Sequence, residues 1–573
     1  MTEKHFRILA PLAIFLAAGV AYVNTLDGDW VWDDASSVLL NEHVQQPGYF
    51  FQLFREDQHP FGKGAGNFYR PLVAASFMLD FVLAFDSEQD QPLAPHRPAD
   101  VKPLVFHQTN LLWHAAAAVL LFFLLLRLDA PRWVAVAAPL LFVTHPLHTE
   151  AIAYISGRAD MMSAAFMFAG LGLALSNARA TRRRIDWGAG SLCFVAALLS
   201  KESSMIFPVL LALLIFLRPR PQPLAEPVKT YYLREATPLF AAAAILVVYA
   251  LLRSTVLHFG ELAEQTALPF GTRLLQTGQA FAFYLQKLFL PTRLHMEQTL
   301  AGVPTWTSAV GWAGLLLILA GLAGAWRAEH HRIAMGLAWF LAAWLPISGI
   351  FPLNAPMAEH WMYVPMAGFW WALCEALWLL ARRPARRSAL STAVVVLALA
   401  FLGLTVHRNQ AWHSNESLFT ATLKENPDSL RVSHNLAVTY ENLLGNWAGA
   451  RREFEQVLAQ YQAQKRTTSL SGDIDYLLDD EVDVRLSLGH LYLQLGDYAK
   501  AAEQFGVLAR RVAPEKDRAV ATEAAMGLGR SLLALGDVAG AGSAFERAAG
   551  IEPKLGTEIR MLMLEGAPPA GVS

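Results

Sequence analysis

The chain has 573 residues, of which 54% are hydrophobic and only 16% charged, and its formal net charge is −2. A mean hydropathy of +0.32 over that length excludes a soluble single-core enzyme and points to a membrane protein. The near-neutral balance, with no basic face, excludes nucleic acid as a partner, and two cysteines, Cys193 and Cys374, each inside an apolar run, exclude a secreted disulfide framework.

Apolar runs of spanning length, roughly 20 residues each, lie near 6–24, 106–127, 133–147, 160–178, 187–200, 203–217, 236–255, 307–326, 333–351, 361–381 and 388–406, which predicts about eleven spans. Two further stretches are interrupted by polar groups that are expensive in hydrocarbon: Pro71 to Phe85 by Asp80, and Leu274 to Leu290 by Gln276, Gln279 and Lys287. They read as interfacial or re-entrant helices, the first within a long external loop, 25–105. Basic clusters mark the cytoplasmic side of a membrane protein. Here they follow Lys4 and Arg7 in every second loop: Arg127 and Arg132; Arg179, Arg182, Arg183 and Arg184; Arg218, Arg220, Lys229 and Arg234; Arg327 and Arg332; Arg382, Arg383, Arg386 and Arg387. The N-terminus is therefore expected in the cytoplasm and the tail outside. Tyr22-Val23-Asn24 lacks a small-residue cleavage pattern, so the first span reads as an uncleaved helix. Richness in Ala, Leu and Arg favours a bacterial inner membrane with the tail in the periplasm.

Residues 1–406 carry 29 Lys/Arg and 26 Asp/Glu against 17 and 22 in 407–573, so an acidic, polar domain follows the membrane domain. It contains a repeat of period 40. Leu491-Tyr492-Leu493-Gln494-Leu495-Gly496-Asp497-Tyr498, Ala501 and Phe505 correspond to Ser531-Leu532-Leu533-Ala534-Leu535-Gly536-Asp537-Val538, Ala541 and Phe545. An earlier copy has Leu436-Ala437, Tyr440, Gly445, Ala450 and Phe454. Small residues at helix contacts and an aromatic four residues after the Ala match the tetratricopeptide (TPR) pattern, lengthened from its usual 34 residues. Such arrays stack helix pairs into a peptide-binding concave surface. Gly472 to Glu481, with four aspartates, reads as a solvated loop between repeats.

Polar clusters gather on the predicted external face. The first loop contains Trp30-Val31-Trp32-Asp33-Asp34, then Asn41 and Tyr69-Arg70-Pro71-Leu72. Paired carboxylates there serve either as a solvated helix cap or as a general base whose neighbour tunes it. His107, Asn110 and His114 share one helix face at the start of span two. After span three come His145-Pro146-Leu147-His148-Thr149-Glu150 and Ser156-Gly157-Arg158-Ala159-Asp160; Lys201-Glu202 follow span five, and Glu359-His360-Trp361-Met362-Tyr363 open span ten. His145, His148 and Glu150 also offer a zinc set, against which stands the absence of the His-Glu-x-x-His order. No Gly-rich phosphate loop is present, and nucleotide sugars are cytoplasmic, so a transferase acting outside needs a donor that crosses with a lipid. Arg, Lys and His at headgroup level suit a lipid phosphate leaving group.

In these motifs and their order the chain resembles the transmembrane and TPR-containing (TMTC) protein O-mannosyltransferases, of the GT-C glycosyltransferase class. The resemblance rests on Asp33-Asp34 with Asn41, Tyr69-Arg70-Pro71-Leu72, Phe106-His107 with Asn110 and His114, His145-Pro146 with His148 and Glu150, Gly157-Arg158-Ala159-Asp160, Ser200-Lys201-Glu202, Ala358-Glu359-His360, Tyr363 and the repeats. It implies an all-α protein, a GT-C helical bundle followed by an extramembrane TPR α-solenoid. It also implies metal-free and cofactor-free transfer of a hexose, often mannose, from a polyprenyl phosphate to Ser or Thr of an acceptor protein bound by the repeats. Family members often carry Arg where this chain has His360.

The expected mechanism has Asp33 or Asp34 deprotonating the acceptor hydroxyl while some of Arg70, His145, Arg158, Lys201 and His360 hold the departing lipid phosphate. His107, His148, Glu150, Asp160, Glu202, Glu359 and Tyr363 complete the expected binding set for phosphate or sugar. Rival readings are a transferase decorating an envelope glycan or lipid, and a non-catalytic TPR scaffold. The orientation has a direct test in a background lacking Cys193 and Cys374. A membrane-impermeant thiol reagent added to intact spheroplasts should label Ser414→Cys or Ser469→Cys and spare Ser388→Cys, and the reverse pattern would overturn it.

Overall fold

The computed structural model describes residues 2–56, 58, 68–84, 101–176, 180–219, 227, 233–256, 268–300, 302–351, 353, 355–468 and 479–565. Among these residues there is no β-strand. The expected loop at 472–481 lies largely outside them, as do Arg179, Arg220 and Lys229 of the basic clusters. Two compact units are formed, 1–421 and 422–573, so the first extends beyond the expected domain boundary at 406.

In the first unit the helices are α1 (Glu3–Tyr22), α2 (Pro71–Ala84), α3 (Leu104–Arg127), α4 (Arg132–Thr144), α5 (Thr149–Ala153), α6 (Arg158–Ala174), α7 (Ala180–Leu198), α8 (Phe207–Leu217), α9 (Thr237–Val256), α10 (Phe270–Phe289), α11 (Trp306–Arg327), α12 (His331–Trp344), α13 (Tyr363–Leu380) and α14 (Pro384–Asn409). Each of the apolar stretches read from the sequence is helical. Among the described residues, six are long and apolar enough to cross a membrane, those at Glu3–Thr25, Leu104–Arg127, Leu233–Thr255, Trp306–Arg327, His360–Leu380 and Pro384–Trp412. The chain is thus a multi-pass membrane protein. Others are shorter than the sequence implies. Helix α4 has 13 residues, framed by Pro131 and by the extended backbone at His145 before Pro146. At 1.5 Å per residue that is about 20 Å, short of the roughly 30 Å of hydrocarbon.

Small residues set how closely the helices pack, as expected where apolar burial alone does not favour one helix contact over a lipid contact. A Cβ placed on Gly311 of α11 would lie 1.7 Å from the Gly278 carbonyl oxygen of α10, and one on Gly368 of α13 would lie 2.7 Å from the Gly336 carbonyl of α12. Helix α10, expected as interfacial, turns Thr277, Gly278, Gln279, Phe281, Tyr284 and Lys287 inward. Its polar residues are buried by protein. Helix α2 likewise forms part of a second apolar core. In it Val73, Phe77 and Phe81 join Val38, Leu39, Val44 and Leu53 of the first loop, Phe106 of α3, and Ile155, Ala159 and Met162 at the start of α6. This cap covers one end of the bundle.

The second unit contains three helix hairpins: α16 (Leu430–Asn442) with α17 (Trp447–Thr468), α18 (Asp479–Gln494) with α19 (Tyr498–Arg511), and α20 (Arg518–Ala534) with α21 (Val538–Ile551). Here α15 denotes Asn415–Glu425, at the junction of the units, and α22 (Gly556–Glu565) follows the last hairpin. The conserved spacing within the chain has a local cause. Gly496 and Gly536 take φ of +75° and +84°, a left-handed turn that ends one helix, and Asp497 and Asp537 cap the next by accepting from Lys500 and Gly540 N–H.

The close contact of α10 with α11 predicts that Gly311→Leu cannot be absorbed by side-chain motion, because backbone faces it. It should cost about 3 kcal/mol or more, whereas Gly324→Leu, at an open position, should be silent. Thermal unfolding of the two variants in detergent would show the difference.

Candidate active site

All the candidate residues lie at the cap end of the bundle, but they serve different purposes. The Trp30–Asp34 loop is held from both sides. Trp32 adopts a φ of +52°, uncommon for a bulky residue, stacks on Tyr154 with ring centroids 5.5 Å apart, and donates its N–H to Asn415 Oδ1 at 2.8 Å. Asp34 is fully buried and accepts from four donors: Val31 N–H (3.2 Å), Ile155 N–H (3.4 Å), Ser156 N–H (2.8 Å) and Ser156 Oγ–H (2.7 Å). It therefore clamps the first loop to the segment before α6. Burial outweighs these donors and pushes its carboxyl up to about 7. Asp33 is only half-buried and has the Tyr154 hydroxyl as hydrogen-bonding neighbour. Burial first, then the charges of Asp33 and Asp34, hold the Tyr154 phenol well above its usual range, so it stays a donor.

Arg158 does not face a substrate site. It is completely buried, pairs with Asp80 of α2 at 2.5 Å, and donates to Asn110 Oδ1 (2.6 Å), Ser76 Oγ (3.1 Å) and the Phe106 carbonyl (2.9 Å), with the Phe77 ring 4.5 Å away. Thr109 donates to Asp80, and Asn110 Nδ2 donates to the carbonyls of Ile152, Tyr154 and Ile155. In this network the donors of Arg158, expected to hold phosphate, are engaged in joining α2, α3 and α6.

His145 is engaged likewise. It is fully buried, its Nδ1 accepts from Leu147 N–H and its Nε2 faces the Leu288 carbonyl at 3.1 Å, so neither nitrogen is left for phosphate or metal. His114 and Tyr363 share a 2.7 Å hydrogen bond, and His148 packs on Tyr363, Phe142 and His114. This is a buried aromatic layer. His107 is buried beneath Gly28, where it supports the first loop. Among the described residues no group of three or more His, Cys, Asp or Glu is arranged to hold a metal ion.

The remaining charges form two centres. In one, Arg70 grips Glu202 bidentately at 3.0 and 2.7 Å and Lys201 pairs with Asp160 at 2.6 Å, so four of the expected residues neutralise each other pairwise. In the other, Glu150 accepts from His360, both through Nδ1 at 2.9 Å and through the backbone N–H at 3.0 Å. Burial tends to raise Glu150, but the His360 charge and hydrogen bonds hold it below the ordinary carboxylate value. Beside it Glu359 accepts from His295 N–H and Gln298, and lies 3.6 Å from Lys287 and 3.7 Å from Arg408. Burial raises its carboxyl despite both cations. Lys287, His295 and Arg408 were missed in the sequence; the available signal was polar residues ending two apolar helices. Tyr154 and Trp412, 5.8 Å apart, connect the two parts, since the Arg408 guanidinium sits 6.0 Å from the Trp412 ring.

Comparison with known proteins agrees with the motif order. Over 550 residues the chain is 23% identical to mouse Protein O-mannosyl-transferase TMTC3, covering 90% of this chain and 56% of that one. This chain is similar to the TMTC-type protein O-mannosyltransferases. It is also 24% identical to human Protein O-mannosyl-transferase TMTC4 over 488 residues, covering 74% of this chain and 63% of that one. The chain spans about half the length of the curated TMTC3 relatives it matches. Tetratricopeptide repeat profiles match residues 433–462 and 482–505. Among solved structures, the Archaeoglobus fulgidus oligosaccharyltransferase in its apo form aligns with a TM-score of 0.36 and 13% identity over 79% of this chain and 60% of that one.

The two aspartates should separate experimentally. Asn in place of Asp34 would turn an amide NH2 toward two of the four donors, and Asp34→Asn should cost on the order of 1–3 kcal/mol, while Asp33→Asn should unfold like wild type. The folded pKa of Asp34 lies above its unfolded value of about 4. Its contribution to stability is therefore full below about pH 4 and is lost as pH rises through 7. Unfolding measured from pH 5 to pH 8 should show this downward slope in wild type and lose it in Asp34→Asn.

Proposed function

We propose that the chain is a membrane glycosyltransferase that moves a hexose, mannose being the first candidate, from a polyprenyl-phosphate carrier to Ser or Thr hydroxyls of exported proteins. The observation that carries this reading is similarity to protein O-mannosyltransferases along 90% of the chain, through both the cap motifs and the repeats. The cap geometry fits it, since one carboxylate of the Asp33–Asp34 pair is left accessible beside a phenol that stays protonated.

In this reading Asp33 takes the proton of the acceptor hydroxyl. The resulting oxygen forms a bond to the anomeric carbon as that carbon's bond to the phosphate oxygen breaks, and the electron pair leaves with the lipid phosphate. One displacement inverts the anomeric centre. Tyr154 orients Asp33, and Asp34 fixes the loop so that its neighbour keeps its place. The repeats hold the acceptor protein, which raises its effective concentration at the cap. The carrier is reached from the lipid, and the active face and the repeats belong on the periplasmic side of a bacterial inner membrane.

Glycoproteomics of the envelope fraction, with and without the gene, tests the class of reaction: hexose on Ser or Thr should disappear with the gene. Complementation with Asp33→Asn should restore the protein level but lower the modification rate on the order of 10²-fold or more. Full modification by that variant would remove Asp33 from the mechanism, and an unchanged glycoproteome in the deletion strain would favour a glycan or lipid acceptor or a scaffold.

A further inference from the structure

At the ends of α10 and α14 and the start of α13, two full cations, Lys287 and Arg408, and His360 gather around two carboxylates, Glu150 and Glu359. Glu150 is occupied by His360. Lys287, which donates to the Arg293 carbonyl at 3.0 Å, and Arg408 both feel the Glu150 charge and have Glu359 as their nearest carboxylate, at 3.6 and 3.7 Å, ion-pair distances too long for hydrogen bonds. Arg408 is 8% exposed, yet among the described residues its Nε and Nη2 have no hydrogen-bond partner, and neither do Glu359 Oε2 and His295 Nδ1. Idle donors and acceptors at this depth are rare in folded proteins. The idle side of Arg408 is informative in itself. Nε and Nη2 form the edge of a guanidinium that takes two oxygens at once, the same edge with which Arg70 grips Glu202 in this chain.

We propose that Arg408, together with Lys287, receives the phosphate of the lipid-linked donor, and that Glu359 is the resident counter-ion that this phosphate displaces. The proposal rests on the glycosyl-transfer reading and adds the residues that bind its leaving group. Arg408 closes the last membrane helix and Lys287 nearly closes α10, so both cations stand where a carrier's headgroup meets the end of the bundle. A phosphodiester carries one negative charge and the departing monoester up to two. Two cations side by side are therefore more strongly matched to the departing group than to the bound donor, which is the condition for accelerating the step. Neighbouring His360, tied to Glu150, takes no part in the contact.

The test is binding, measured on the full chain in nanodiscs of neutral lipid by native mass spectrometry and thermal stabilisation. The probes are undecaprenyl phosphate, undecaprenol and inorganic phosphate. Wild type should bind undecaprenyl phosphate and discriminate against undecaprenol. Arg408→Gln and Lys287→Gln should each weaken that binding about tenfold or more. Arg408→Lys, which keeps the charge and the fold but loses the bidentate edge, should weaken it several-fold at an unchanged unfolding temperature. It decides the matter should the Gln variant fail to fold. Glu359→Gln should bind more tightly, since it removes the competing carboxylate. Equal binding by Arg408→Lys, Arg408→Gln and wild type would place the phosphate elsewhere and leave the glycosyl-transfer reading standing. Failure of wild type to discriminate undecaprenyl phosphate from undecaprenol would sink the lipid-phosphate donor itself. Binding of inorganic phosphate as tight as that of the lipid would assign the centre to a free anion, and weaker binding by Glu359→Gln would make Glu359 a structural support.

Discussion

Burying a charge without a partner costs several kcal/mol, and this constraint sorts the polar residues of the cap. Arg158 meets it fully through Asp80, Asn110 and Ser76, and in doing so joins α2, α3 and α6. Arg70 with Glu202 and Lys201 with Asp160 meet it pairwise. Glu150 meets it through His360. Asp33 is half-buried beside the Tyr154 hydroxyl, and Glu359, Lys287 and Arg408 are matched only at ion-pair distances of 3.6 and 3.7 Å. A carboxylate able to accept a proton and a cation pair able to accept an anion are the two things that a displacement at an anomeric carbon needs from a protein.

The sequence carried the fold class clearly because hydrophobic runs and helical repeats are local. Every apolar stretch became a helix, and the Gly-Asp pairs at 496–497 and 536–537 marked the turns of the hairpins. Length was less legible. Helix α4 stops at His145-Pro146, inside a run that hydropathy alone continues. Asp80 and Lys287 made two stretches look too polar for the interior, since composition cannot reveal that Arg158 or Glu359 waits opposite them.

At the site, motif order named most of the residues without assigning their work. Asp33 and Asp34 are neighbours of the same chemistry. What distinguishes them is Ser156, 122 positions away, whose N–H and hydroxyl both go to Asp34. Arg158 and His145 looked like phosphate ligands because a basic side chain in a motif is ambiguous until its donors can be followed. Arg408 was hidden for the opposite reason: one arginine after a long apolar helix reads as the ordinary end of a span.

The strained backbone at Trp32 bears on how this architecture can be varied. Its left-handed conformation is sustained by stacking on Tyr154 and by the side chain of Asn415, so the first loop and the start of α15 form one mechanical piece. Arg408 and Trp412 belong to that piece as well. The natural seam of the chain accordingly runs between 421 and 422, within α15, and not at the end of the last apolar helix. The contacts that hold Trp32 and Trp412 all lie on the near side of that seam, so a change among the repeats beyond it removes none of them.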